Sequence, residues 1–494
     1  MRPFFVLSSA RAGSTSLARI LDQASNGSCA VEPVPNLNVE SRLALEGRLA
    51  EPKTILEQSV LPRVKSAGNR IYGEKNVTYA PFVGLLHELC DARFVLLTRD
   101  GRDVVRSLID WHDRLFGTVY REANDPGELS VIARRNAANL LVHLDSSDFA
   151  RPRPLPGEPL YERWPSATRF EMCAYYWARI YDLYLDQLAR LPEGSWIQLD
   201  YTRAGPDDLL HVADFLELQG LDRANVASML DARINSLKDR CDEAPTFPDW
   251  TQWNGAQRRD FETIAGPTMR RLNYWTDNAT LWKPPAFGAC WRERAADLAW
   301  YEWMYEGRRR MHDDAISWIR SHDSTERINS VMDFGCGVGV GYSSELADRT
   351  YIGVDLAESS IAWARQHRTN PKHQYLALDF IANPPAQAAD LVMSSGTIDN
   401  AYDPERYLDA MIAASRRWIY VTCYRGWFPE LTDHRFLWSS EHGCYYADLS
   451  PSRLREHLER RGCTHISIAP RPTGRTDIPH ETLLIARVPD RSTA

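Results

Sequence analysis

The chain has no run approaching the roughly 18–20 apolar residues of a membrane span, which excludes a transmembrane helix. Its N-terminal apolar run, Phe4 to Leu7, is too short for a signal-peptide core and reads as a strand. None of its nine cysteines is paired as CxxC, and their number is odd, so neither a zinc ribbon nor a disulfide framework is expected. No metal site is expected, and a reducing, cytoplasmic setting fits best. Basic residues are outnumbered, 58 against 66 acidic, and the net charge of −8 argues against a nucleic-acid binder that works by neutralising phosphates. The 44% hydrophobic and 25% charged residues are ordinary for globular protein, and 494 residues suffice for more than one core.

Two segments share one pattern of an apolar strand, a small-residue turn and a helix. The first is FFVLSS-ARAGST-SLARILDQ from residue 4, and the second is SVMDF-GCGVGVG-YSSELA from residue 330. Each opens a parallel α/β sheet, whose strand end and helix start form an anion-binding corner. The expectation is two tandem three-layer α/β domains, residues 1–285 and 286–494, divided at WKPPAFG (282–288). The irregular stretch RPRPLPGEP (151–159) reads as an insertion within the first domain, ahead of a long amphipathic helix, FEMCAYYWARIYDLYLDQLARL.

The first turn lacks the GxxxxGK[ST] of a Walker A loop, yet its chemistry suits phosphate. Gly13 permits a close turn, the backbone amides of Ala12 and its neighbours face one point, and Arg11, Ser14, Thr15 and Ser16 add donors. Further on, the strand RFVLLT ends in Arg99, and the helix after it carries Ser107, a pair able to hold a second phosphate.

These two motifs, SxRxGST and RDxRDVVxS, resemble those of sulfotransferases that use 3′-phosphoadenosine 5′-phosphosulfate (PAPS), over roughly residues 1–280. The resemblance implies a P-loop-like sulfotransferase fold, with the first loop on the 5′-phosphosulfate and Arg99 with Ser107 on the 3′-phosphate. Gly73-Glu74-Lys75 matches a segment between the family's motifs, although Asn76-Val77 replaces its usual Thr-Pro. Glu74 is the expected general base, with Arg11 and Lys75 stabilising charge on the leaving oxygen. Glu32, His87 and His112 stand as alternative bases. Tyr201 in WIQLDYT is an expected cofactor contact, and Arg233 and Lys238 are candidates for a further basic contact.

In the second segment Asp333 precedes Gly335, Gly337 and Gly339, and a strand ends at Asp355, about 20 residues on, where a carboxylate can take ribose hydroxyls. Asp379 ends a third strand, and SSGTID follows a fourth. The DxGCGxG form resembles class I S-adenosylmethionine (SAM)-dependent methyltransferases, with a Rossmann-like fold, over residues 290–490. The resemblance implies that the glycines line the methionine moiety, Asp355 with Leu356 the ribose, and Asp379 with Phe380 the adenine; Ser395 after the fourth strand completes the set. Asp399, His434, Glu441 and His442 are the possible bases, and Trp427 and Trp438 the possible sugar-stacking residues.

The expectation is thus a bifunctional enzyme transferring a sulfuryl group from PAPS and a methyl group from SAM to a small-molecule, sugar or secondary-metabolite acceptor. The rivals are one active domain beside a cofactor-binding or regulatory partner, an ATP-using kinase in place of the sulfotransferase, and a non-catalytic interaction protein.

Overall fold

The computed structural model describes residues 2–115, 120, 151–232, 247–294, 297–307, 309–472 and 480–490. Its contacts divide the chain into two units, Met1–Trp250 with Arg259–Thr276, and Thr251–Arg258 with Asp277–Ala494. The second unit begins at Asp277 instead of near residue 285, and it also takes Thr251–Arg258. The reason is packing: Trp253 lies 6.2 Å from Trp282, and the Arg258 guanidinium sits 3.5 Å above the Phe436 ring. No described helix is long and apolar enough to cross a membrane.

The first unit is built on five parallel strands: β1 (Phe4–Leu7), β2 (Gly27–Val31), β3 (Ile71–Lys75), β4 (Arg93–Thr98) and β5 (Trp196–Asp200). They lie in the order β2-β3-β1-β4-β5. All four residues of β1 are buried, as expected of an apolar run covered by helices on both faces of a parallel sheet. From β1 the chain moves to one side for β2 and β3, then places β4 on the other. A crevice therefore opens at the carboxyl end of β1, where strand order reverses.

Beneath that crevice runs the helix Arg169–Leu188, started by a capping box between Thr168 and Glu171. Helical spacing sets a row of aromatic side chains against the strand ends. Tyr181 donates to the Leu97 carbonyl at 2.8 Å, the Trp177 indole donates to the Arg99 carbonyl at 3.2 Å, and Tyr176 accepts from the Ala10 amide at 2.9 Å. This row pays the hydrogen-bond debt of a turn that would otherwise bury unsatisfied backbone.

The second unit has a seven-stranded sheet made by β6 (Ser330–Phe334), β7 (Thr350–Asp355), β8 (His373–Ala377), β9 (Ala389–Ser395), β10 (Ser415–Cys423), β13 (Thr464–Pro472) and β14 (His480–Arg487). Its order is β13-β14-β10-β9-β6-β7-β8, with β14 antiparallel to both neighbours. Strand order reverses beside β6, between β7 and β9. A separate hairpin, β11 (Arg435–Ser439) and β12 (Cys444–Asp448), follows β10. Asp-Pro and Ser-Pro pairs start two of the unit's helices: Asp403 caps Pro404–Ala414 and Ser450 caps Pro451–Arg460.

Those two helices are joined by His457, whose ring nitrogens lie 2.7 Å from Asp409 and 3.2 Å from Glu405. Burial alone would lower the His457 pKa, but the two carboxylates outweigh it and hold it above its ordinary value. Burial likewise opposes ionisation of Glu405, yet His457 and Arg453 draw its carboxyl down to about 2. The histidine's contribution is therefore complete below the ordinary histidine value of about 6.5 and is lost as pH rises through the raised folded value. The Glu405 contribution is present above the ordinary carboxyl range and is lost as pH falls towards about 2. We expect His457→Gln to cost about 1–3 kcal/mol near pH 6 and to flatten the alkaline loss of stability, read by urea unfolding across pH.

Candidate functional sites in the two units

The loop leaving β1 holds Arg11 (φ 66°) and Gly13 (φ 95°) in the left-handed region, a turn that aims successive amides into one concavity. A Cβ on Gly13 would come within 2.7 Å of the Tyr201 ring, so the sequence needs glycine here for space as well as for φ. The cavity above this loop is about 1010 Å³. Arg11, Gly13, Ser14, Thr15 and Ser16 line it, as do Lys75, Arg99, Ser107 and Tyr201 from the ends of the neighbouring elements. Ala12 does not, being fully buried beneath the turn.

The electrostatics of this cavity favour an anion. Burial, then the adjacent Arg99 charge, lowers the Arg11 pKa to about 10. Arg11 stacks 3.9 Å over Trp111 and donates from Nε to Ser107 Oγ at 3.1 Å. Arg99 donates to the Arg11 carbonyl at 3.2 Å and lies 3.9 Å from Asp103, while its buried Nε meets no hydrogen-bond acceptor. Two arginines held together against their mutual repulsion, with an orphaned buried donor, fit a phosphate-type ligand.

Glu74 is displaced from the role expected of it. Its side chain is fully buried away from the cavity, ion-paired to Arg63 at 2.6 Å and accepting hydrogen bonds from the hydroxyls of Tyr72 and Tyr79. Adjacent residues of a strand project to opposite faces, so Glu74 and Lys75 cannot both meet the ligand. Lys75 lines the cavity, and its ammonium contacts Glu32 at 2.5 Å. Glu32, held at φ 47° just past β2, lines the cavity, as do Asp103, Asp110 and Asp231. His87 does not line it, and instead contacts the Ala92 carbonyl at 3.1 Å. The side chain of His112, together with Arg233 and Lys238, lies outside the described residues.

In the second unit a cavity of about 220 Å³ sits at the carboxyl ends of β6 and β9. Gly335, Gly337, Asp355 and Leu356 line one wall, and Asp379, Phe380 and Ser395 another. Asp355 accepts from the Gly337 amide and the Ala357 amide, both at 2.8 Å, and burial raises its pKa against these bonds. Each oxygen keeps lone-pair capacity for a diol. Asp379 accepts from Lys283 at 2.7 Å and from Tyr402 at 3.1 Å, so the WKPP segment, read from sequence as punctuation, braces this site.

Asp333 and Gly339 do not line the cavity. Asp333 is 5% exposed, accepts from Tyr351 at 2.7 Å, and is pushed up to about 7 by burial, with the Asp355 charge adding. Gly339 packs against Tyr375. Among the four possible bases only His442 reaches the cavity. Asp399 is buried, accepting from the amides of Tyr424 and Arg425 at 3.1 Å; His434 accepts from the Ser450 amide at 3.1 Å; Glu441 is exposed. Trp427 and Trp438 are likewise elsewhere, and the indoles at the wall are Trp291 and Trp300. The helix Leu298–Gly307 brings Trp300, Tyr301 and Met304 to the cavity, its aromatic-rich sequence being the one signal that could have found it. Tyr301 lies so near Gly337 that a Cβ there would stand 2.5 Å from the ring.

Gly13→Ala is expected to destabilise the first unit by about 1–3 kcal/mol in urea unfolding, with part of the loss recovered when Tyr201→Ala is added.

With this geometry in place, residues 308–468 match the family model described as a methyltransferase domain, a span wholly within the second unit. The chain is similar to the magnesium protoporphyrin IX methyltransferase of Synechocystis PCC 6803 with bound S-adenosylhomocysteine (SAH), at 18% identity, covering 37% of this chain and 84% of that one, TM-score 0.29. It is also similar to the SAM-bound amino pentose methyltransferase of Micromonospora echinaspora, at 18% identity, 38% and 96% coverage, TM-score 0.29. The N-methyltransferase NodS of Bradyrhizobium japonicum with bound SAH matches at 13% identity, 37% and 88% coverage, TM-score 0.29. The second unit therefore contains a methyltransferase domain, matched over residues 308–468.

Proposed function

We propose that the chain is a bifunctional transferase, with a SAM-dependent methyltransferase in the second unit and a PAPS-dependent sulfotransferase in the first. PAPS would supply the sulfuryl group and SAM the methyl group, each to a small-molecule or glycan acceptor.

In the methyltransferase, Asp355 would hold the ribose hydroxyls, Phe380 and Asp379 the adenine, and Gly335 and Gly337 the methionine end. The support is the family match together with Gly337, too close to Tyr301 to carry a side chain, and Gly335, too close to Thr397 to carry one. Methyl transfer is a direct displacement, so these residues act chiefly by fixing the donor beside the acceptor.

In the sulfotransferase, the observation that carries the reading is the Arg11–Arg99–Ser107 cluster beside the loop after β1. The Gly13–Ser16 backbone and hydroxyls would take the 5′-phosphosulfate, and Arg99 with Ser107 the 3′-phosphate, a group that ATP lacks. Tyr201 would pack beside the cofactor. Lys75 and Arg11 would stabilise charge as it builds on the bridging oxygen. Glu32, which lines the cavity beside Lys75 where Glu74 does not, would take the acceptor proton. The alternative, an active methyltransferase beside a non-catalytic first unit, draws support from the family match lying wholly in the second unit.

Calorimetric titration separates these readings. Arg99→Ala should weaken binding of 3′-phosphoadenosine 5′-phosphate (PAP) by at least about tenfold and leave SAH affinity unchanged. Glu32→Gln should keep PAP affinity and lower sulfuryl transfer by about 10²–10⁴-fold. Absence of PAP binding to the unaltered chain would remove the sulfotransferase reading and leave the methyltransferase alone.

A further inference from the structure

In the second unit the turn between β11 and β12 carries His442 onto the wall of the cavity that also holds Gly335, Gly337 and Asp355. The turn is fixed at both ends. The His442 amide donates to Ser439 Oγ at 3.2 Å, and the Gly288 amide donates to the Gly443 carbonyl at 2.7 Å. The imidazole Nδ1 lies 3.0 Å from Ser439 Oγ and 3.2 Å from the Tyr446 hydroxyl. That nitrogen is committed within the turn, so Nε2 is the ring atom left to meet a ligand. With Nδ1–H donating to Ser439 Oγ, Nε2 carries a lone pair.

The rest of the wall restricts what the ligand is. Phe287, Trp291, Trp300 and Tyr301 make much of it aromatic. Away from the carboxylates, two of its polar side chains are already engaged: Ser395 with Tyr342 and Thr422, and Asn400 with the Tyr424 hydroxyl and the Tyr445 carbonyl. A polyhydroxylated ring would meet few open partners here, and each buried hydroxyl without one is unfavourable. A flat ring with a single reacting hydroxyl meets none of that penalty and stacks on the indoles. Among the described residues no lysine or arginine lines this cavity, so nothing on its wall favours a sulfated acceptor.

Resting on the methyl-donor reading of this unit, we propose that the cavity takes an aromatic hydroxyl acceptor whose proton passes to His442 Nε2 as the methyl group transfers. The O–H bond breaks with its electron pair left on oxygen, and Nε2 takes the proton. The oxygen forms a bond to the methyl carbon, and the carbon–sulfur bond breaks with its pair on sulfur, leaving a neutral thioether. The imidazolium then releases its proton to water.

The test uses the full chain saturated with SAH and titrated with 4-nitrophenol, at a pH below that phenol's own ionisation. Phenolate absorbance reports proton transfer without turnover. The unaltered chain should bind the phenol and raise the phenolate band. His442→Gln should bind SAH within about twofold of the unaltered chain, bind the phenol, and lose the band. Ser439→Ala, which releases Nδ1, should lower the band and keep both affinities. A band that persists in His442→Gln, or SAH binding without phenol binding, overturns the proposal. Failure of the unaltered chain to bind SAH overturns the donor reading itself and the proposal with it.

Discussion

A parallel sheet whose strand order reverses must leave a gap at its carboxyl edge, because successive connections depart to opposite sides of one strand. Both units depend on that constraint. In the first, β1 is the strand at which the order reverses, and Arg11, Lys75 and Arg99 are at its end or at the ends of the strands beside it. In the second, β6 plays that part, with Asp355 one strand to one side and Ser395 one strand to the other. The loops in these gaps differ in their chemistry. The turn after β1 gathers arginine and hydroxyl donors, whereas the turn after β6 alternates glycine with small apolar residues and faces carboxylates.

Building the gap costs stability locally, and the surroundings offset it. Left-handed φ at Arg11, a non-glycine residue, and the desolvation of its guanidinium are both unfavourable. The aromatic row of Arg169–Leu188 answers the backbone part, donating to or accepting from the strand-end carbonyls and amides. The Arg11 guanidinium is held by the Ser107 hydroxyl and the Trp111 ring. The donor site is arranged differently: the Asp355 carboxylate already holds the Gly337 amide, so the glycine loop is ordered by the same group that would take the ribose.

What could be read from the sequence was what is local in it. The two strand-turn-helix openings, the cluster Arg11 to Ser16 and the acid at Asp355 are contiguous or regularly spaced, and the structure brings them to cavities at the strand ends. The departures come from partners remote in sequence. Arg63 and Tyr79 enclose Glu74, and Tyr351 caps Asp333, pairings set by tertiary packing that no spacing announces. The same holds for the indoles: Trp427 and Trp438 follow the fifth strand of the second sheet, yet Trp291 and Trp300 reach the cavity from the segment preceding that sheet. Lys283 illustrates the limit from the other side, since a proline-rich stretch marks a turn in sequence without revealing that its lysine braces Asp379.

On the proposed reading one chain would hold two nucleotide-type sites, and thermal unfolding of the full chain with PAP, SAH, ATP or NAD in turn tests this most directly. A ligand at about 100 times its Kd stabilises the unit that binds it by roughly 2.7 kcal/mol. An upward shift is expected with PAP, a separate upward shift with SAH, and none with ATP or NAD at equal concentration. A shift with SAH alone, or one with ATP equal to that with PAP, would contradict it.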